Sequence, residues 1–553
     1  MKLRHAAALA AALAALLIAA LQTPPPATAQ VKGVSALSQT DPNGLRGVSQ
    51  LDARQIGRRL TGRRARTLAD RLPKIRAERR RFPGSYSGVF LKGSGQWQIS
   101  YYAKGKPLRE IGQVIVDDRS ATVLEANVGF KVAWTMARGY PGAFGRKVNS
   151  PLVWFPLMIL FVAPLITPRR LLRVLHLDLL VLLAFSASVA FFNDAQIDVS
   201  VPLVYPLLAY LLGRMLWVGL RRVRGESEDA PLPLLVPVTW LAIAAIFLFG
   251  FRIGLNVTNS NVIDVGYAGV IGADRLADGD VIYGNFPKDN EHGDTYGPVL
   301  YEAYVPFEQA LPWDGTWRGL PAAHGAAIVF DALCALLLLL IGRQLRGIRM
   351  GIVLAYAWLA FPFTLYVSNA NSNDALVAVF ALLAVLLAAS APARGAAAAL
   401  GGLTKFASLG LAPLFWTHAA KGRGRSWALG AFAMAFAGAA LITLVPYVIH
   451  GDDPATFVDR TLGFQTQRGS PFSIWGLYDI QTPQRVWQAI AVAIALGLAF
   501  LPRREDVVGL AACAAAILIA LQLGVTHWFY LYIVWFFPLV MIALLCRFRA
   551  PAR

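Results

Sequence analysis

LPLLVPVTWLAIAAIFLFG (Leu232–Gly250) is followed within a few residues by NSNVIDVGYAGVIGADRLADGDVIYG (Asn259–Gly284). The first stretch is long and apolar enough to cross a bilayer, which takes roughly 18 to 20 such residues. The second places an ionisable carboxylate, Asp264, close to where the chain leaves the hydrocarbon. A charge there is costly unless it faces protein or water, so it needs a reason to exist.

Outward from that junction the pattern repeats. The 553-residue chain is 56% hydrophobic with only 15% charged residues and a mean hydropathy of +0.51. Spans are expected at about 151–167, 173–192, 200–219, 232–253, 322–342, 349–367, 374–391, 427–448, 484–501, 507–523 and 528–546. The fold class is therefore an all-α polytopic membrane protein of about 11–12 transmembrane helices, carrying a small α+β N-terminal domain. The segment 395–416 breaks the alternation. Arg394 and KGRGR (421–425) flank it, and Gly401, Gly402 and Lys405 interrupt it. It reads as a re-entrant or broken pair of short helices, with a twelfth span as the alternative.

Before these spans, residues 1–29 have a basic start, an apolar middle and an ATA end, the pattern of a secretory signal peptide. Residues 30–150 form the exported domain. A basic helix, broken at Pro73, precedes QWQISYYAKG, in which Trp97, Ile99 and Tyr101 face one way and Gln98 and Ser100 the other. EIGQVIVDDRSATVLEA supplies the paired strand. Residues 151–231 add further spans and a cytoplasmic linker, and 232–553 form the core.

The net charge of +20 does not point to nucleic acid. Much of the Arg lies in short loops such as PRRLLR, RQLRGIR and LPRRED, where it sets orientation. That rule puts 255–321, SNANSND (368–374) and 449–483 on the extracytoplasmic side. Cys334, Cys513 and Cys546 lie in or beside apolar segments, so no disulfide framework is expected. No divalent metal or other cofactor is expected.

Two roles fit Asp264: a general base for a hydroxyl nucleophile, or a helix-capping, topology-setting acid. Val265, Ala268, Val270 and Ile271 are expected along a lipid surface, with Asp274 and Arg275 outward. GNFPKDNEHGDTYGPVLYEAYVPFE follows, where Asp274, Glu291, His292, Asp294 and Tyr296 suit an acceptor with hydroxyls. Glu291, His292 and Asp294 also read as metal ligands, though in no known spacing. DGD (278–280) reads as a glycine turn. In FQTQRGSPFSIWGLYD (464–479), Arg468 offers a guanidinium fork for phosphate or a lipid-headgroup contact. Ser470 adjoins it, and Trp475 reads as an interfacial anchor. Lys405 is a second phosphate partner or a cytoplasmic cation. His527 opens an aromatic run that reads as an interfacial belt or as a wall for a polyprenyl chain.

Together DVGYAGVIGADRLADGDVIYG, YGPVLYEAYVPFE, SNDALVAVFALLAVLLA, GGLTKFASLGLAPLFW and RGSPFSIWGL resemble a GT-C glycosyltransferase, close to glycosyltransferase family 87. That family includes polyprenyl-phosphate-mannose-dependent mannosyltransferases. WQISYYAKGKPLREIGQVIVDDRSATVLEA resembles a PepSY domain, which implies binding or regulation. The first resemblance implies inverting transfer of a sugar, mannose or a pentose, from a membrane-held polyprenyl-phosphate donor to a lipid or cell-envelope glycan acceptor outside the cytoplasm. It casts Asp264 as the base, with Arg468, Lys405, His527, Trp475 and Ser470 toward the donor. A transporter or flippase of a lipid-linked sugar and a non-catalytic PepSY-type sensor are the alternatives.

Overall fold

The computed structural model describes residues 45–92, 95–105, 109–133, 143–168, 172–221, 230–419, 424–464, 470–501 and 506–551. The expected signal peptide and Arg468 lie outside them, as do parts of the Arg-rich loops.

The N-terminal region is a five-stranded antiparallel meander in the order β1 (Leu45–Gly47), β2 (Tyr86–Lys92), β3 (Gln96–Ala103), β4 (Arg109–Asp117), β5 (Val123–Val128). Helices α1 (Gly62–Asp70) and α2 (Pro73–Arg81) precede β2, and the break between them falls at the expected proline. Trp97, Ile99 and Tyr101 are fully buried with Ala65, Ala69 and Ile75 of the helices. Gln98 and Ser100, on the opposite side of the strand as expected, are buried as well, and Gln98 Nε2 donates to Ser100 Oγ at 3.0 Å.

The rest of the described chain is mostly helical. α3 (Pro151–Val162), α4 (Val174–Asn193), α5 (Ile197–Leu220) and α6 (Val238–Thr258) lead to α7 (Asp264–Asp278). Short α8 (Pro298–Glu302) and α9 (Val305–Ala310) come next, then α10 (Pro321–Arg346), α11 (Ile348–Ala360), α12 (Pro362–Asn369) and α13 (Asp374–Leu386). α14 (Ala391–Gly402), α15 (Ala412–Thr417), α16 (Arg425–Ile449), α17 (Gln481–Phe500), α18 (Val507–Leu523) and α19 (Ile533–Leu545) complete the bundle. Among the described residues six helices (α4, α5, α6, α10, α16 and α17) are long and apolar enough to cross a membrane. α11 and α12 together pass the same test, but they are bent by 60°. One span was expected at 349–367. Pro362 forbids helical backbone at Phe361 and restarts the helix in a new direction. The other expected spans coincide with apolar helices too short for that test, including α13 and α18.

Segment 395–416 is indeed broken. α14 ends at Gly402, Lys405 is extended (φ −140°, ψ 123°), and a 3-10 turn, Phe406–Leu411, leads into α15. Close packing of the helices relies on small residues. A Cβ on Gly342 of α10 would stand 2.6 Å from Gly351 of α11, and one on Gly395 would strike the Phe432 carbonyl of α16. Among the described residues the bundle holds the buried ion pairs Arg252–Asp331 and Asp374–Lys405, and Asp178, itself fully buried, pairs with Arg214.

Candidate functional site

The junction after α6 is built by two asparagine-rich loops that interlock. Asn256 Nδ2 donates to Ser368 O (2.7 Å) and Asn371 Oδ1 (2.8 Å). Asn369 Nδ2 donates to Asn259 O and Gly145 O, and Asn371 Nδ2 donates to Ser260 Oγ and Asn261 O. Asn261 N and Ile263 N return bonds to Asn369 O and Ala370 O. Amides suit this place because each presents a donor and an acceptor without a charge to desolvate. Asn371 also tolerates the left-handed backbone the loop needs (φ 49°).

That clamp fixes where α7 begins. Asp264 is its first residue, and its side chain is exposed. The N-cap position is Ile263, which supplies no side-chain bond, and Asp264 stands one residue inside the helix. Its backbone carbonyl accepts from Asn290 Nδ2 (3.0 Å), and the next carbonyl, Val265 O, accepts from Asn373 Nδ2 (2.9 Å). A carboxylate in the first turn is stabilised by the positive end of the helix dipole.

The expected lipid-facing side of α7 is buried in protein. Ala268, Val270 and Ile271 are fully buried. Gly266, Gly269 and Gly272 lie on one side of the helix, where a Cβ would strike Asn371 O, the Tyr304 ring and the Tyr301 ring. Periodicity reported the apolar positions but not what would cover them: α8 and α9, folded back from the same loop. DGD is the expected turn, with Gly279 left-handed at φ 74°.

One residue beyond Asn373 lies the centre of the site. Asp374 is buried and accepts from Lys405 Nζ (2.6 Å), Trp535 Nε1 (2.9 Å) and Ser372 Oγ. Lys405 stands at the α14 break, its ammonium 5.2 Å from the Tyr296 ring centre, 5.4 Å from Trp535 and 6.0 Å from Tyr532. Cation–π contacts and one carboxylate thus surround it. Gly297 N and Val299 N donate to Thr404 O and Leu403 O, so the 296–299 loop closes over the break. Tyr532 reaches on to His527 at 6.4 Å between rings, and His527 Nδ1 lies 2.9 Å from Ser470 Oγ. Lys405, Tyr296, His527 and Ser470, far apart in sequence, therefore form one continuous cluster.

The other expected residues lie elsewhere. Asp294 is fully buried, accepting from Arg460 Nε (2.6 Å) and Gly284 N (2.7 Å), so it staples loops together and does not face an acceptor. Glu291 and His292 pair at 3.5 Å on the surface. Among the described residues no three His, Cys, Asp or Glu gather as metal ligands would. Asp274 lies toward the other end of α7. Burial pushes its carboxyl up, and Glu308, Asp278 and Asp280 add to the rise. Trp475 is no interfacial anchor: it is buried, donates to Leu523 O (2.8 Å) and packs against Tyr205.

Beside Ser470 and His527 is a narrow pocket lined by Phe192, Val204, Tyr205, Phe472, Trp528 and Tyr530. Half its wall comes from α4 and α5, so these helices are part of the site's surroundings. Sequence reasoning passed over Asp374 and the asparagines. Their signal was a run of polar residues, SNANSND, set between two apolar segments. No protein-family model matches the chain, and no curated protein matches it.

Proposed function

We propose that this protein is a membrane glycosyltransferase of the GT-C type, working on the face of the membrane away from the cytoplasm. It takes a sugar, mannose or a pentose, from a polyprenyl-phosphate donor and passes it to a lipid or envelope-glycan hydroxyl. Asp264 accepts the proton of that hydroxyl as its oxygen attacks the anomeric carbon. The bond from that carbon to the phosphate oxygen breaks on the opposite side, inverting the centre and releasing polyprenyl phosphate. The observation that carries this reading is an exposed carboxylate at the start of a helix whose first backbone carbonyls are held by Asn290 and Asn373, and which is joined through Asn373 and Asp374 to a caged Lys405.

Arg468 and Lys405 are the cations assigned to the donor phosphate. Lys405 already has Asp374 as its counter-ion, so a phosphate has to share or open that pair. The aromatic side chains beside His527 offer apolar surface of the kind isoprenoid units pack against, but the cavity among them is only about 10 Å³, so the chain would have to lie along that surface or part the rings. The test is mass analysis of lipid-linked and envelope glycans in cells with and without the gene. Loss of one species, restored by the wild type and not by Asp264→Asn, is expected. Unchanged glycans, or full restoration by Asp264→Asn, contradict the reading.

One observation favours a second reading, movement of a lipid-linked sugar across the membrane. Arg252 and Asp331 pair inside α6 and α10 with Thr364 and Trp358, and charges at that depth mark transport paths in many carriers. Transport leaves the glycan bond unmade in a reconstituted system with both substrates on one side; transfer makes it.

A further inference from the structure

Half of the chain's net charge lies in one short stretch. Residues 54–81 hold twelve Lys and Arg against two acidic residues, a net +10 of the total +20. Both acids are already engaged. Asp70 bonds Tyr101 Oη (2.9 Å) and Arg79 (3.1 Å), and Glu78 is buried against Arg81 (3.2 Å). α1 and α2 turn Ala65, Ala69 and Ile75 into the domain core. The outward side is left cationic. Arg59, Arg64, Arg71, Lys74, Arg76 and Arg80 are exposed, and Arg63 is 67% exposed despite its bond to Asp52.

The loop before α1 adds a different kind of residue. Its root is pinned by Asp118, which accepts from Arg59 N (2.7 Å) and Leu60 N (3.0 Å). At its tip Ile56 is 98% exposed, followed by left-handed Gly57 (φ 74°) with open space around it. A lone isoleucine held into solvent among Arg54, Arg58 and Arg59 gains nothing from water. It gains about 2 kcal/mol from an apolar phase, while guanidiniums beside it match phosphate geometry.

The position of the tether completes the argument. Lys131 bonds Asp194 (2.8 Å) just past α4. Gly145 and Lys147 are held by Asn261, Asn369 and Asn259, at the bundle end where α6 stops. The domain is thus joined to the bundle at the end where α4 and α6 stop. We infer that the outward side of α1 and α2, with Ile56 as an inserted tip, docks on the anionic phospholipid surface at the same end of the bundle as Asp264. Nucleic acid supplies phosphates but no apolar phase for Ile56. The inference holds whatever chemistry the Asp264 end performs.

The test uses the full chain in nanodiscs with an environment-sensitive fluorophore on Ile56→Cys; Cys334, Cys513 and Cys546 are buried. In discs containing phosphatidylglycerol the emission shifts to the blue, and high salt or pure phosphatidylcholine reverses it. Arg64→Gln, Arg71→Gln and Arg80→Gln, added one by one, each lower the docked-to-free ratio by about fivefold. Solvent-like emission in both lipids overturns the inference, as does a blue shift indifferent to lipid charge and salt. So does a shift that added oligonucleotide produces in phosphatidylcholine discs and anionic lipid does not.

Discussion

Lys405 illustrates how a single charge decides a local structure. An ammonium buried at a helix break is tolerable because Asp374 and three aromatic rings surround it. Removing the carboxylate leaves the cation uncompensated, a loss of about 3–5 kcal/mol. Asp374→Ala is therefore expected to lower the unfolding temperature sharply in detergent. Adding Lys405→Met to it should recover a large part of that loss, because the stranded charge is gone. Additive destabilisation would show that the two groups do not depend on each other. Glu302, the last residue of α8, offers a titration. Burial raises its carboxyl from 4.5 to about 7, with Tyr447 partly opposing. The folded state favours the protonated form, so Glu302's contribution is complete below pH 4.5 and is lost as pH rises through about 7. Glu302→Gln is expected to flatten stability across that window, and an unchanged pH profile in the variant would refute the assignment.

At the scale of elements, much depends on where side chains are missing. Gly266, Gly269 and Gly272 let α7 lie against Asn371, Tyr304 and Tyr301 without a gap. Gly272→Leu should displace Tyr301, tilt α7 and move Asp264, so activity falls by far more than fold stability does. Measuring both on one preparation separates this from general unfolding. The apolar spacing in 264–278 announced an amphipathic helix, and the helix is there. Its covering surface was not legible, because α8 and α9 are short and their pairing with α7 is set by loop geometry. The break at Leu403–Lys405 was legible, since paired glycines and a lysine interrupt an apolar run. The bend at Phe361 was signalled by Pro362, but the apolar run continued across it. Asp374 went unread for a physical reason: an acid at a helix start usually serves the dipole, and only tertiary structure shows that it holds Lys405.

For the whole molecule, the decisive contrast is between composition and burial. α16 is strongly apolar, yet only 11% of its most apolar window is buried in protein. Met434, Ile442 and Ile449 on it stand largely exposed, as do Ile246 and Phe247 on α6. Such surfaces belong against lipid, where a charge near mid-span costs about 2.5–3.5 kcal/mol. Ile442→Arg should reduce the amount of inserted protein recovered from membranes, whereas Arg80→Gln on the N-terminal domain should not. Polytopic character and the places of the apolar helices were readable from apolar runs, but against the 11–12 spans expected only six helices among the described residues are long and apolar enough to cross a membrane, with α11 and α12 a bent seventh; in the N-terminal domain the helix and paired strands were readable, while the burial of Gln98 and Ser100 was not. The cluster of Tyr296, Lys405, Tyr532 and His527 was not readable, since three separate segments contribute to it. The most direct test of the account is turnover of purified protein supplied with a polyprenyl-phosphate sugar and a membrane glycan acceptor, with donor binding measured alongside. The account predicts that Asp264→Asn binds donor like the wild type but makes no inverted product. Normal turnover by Asp264→Asn would contradict it.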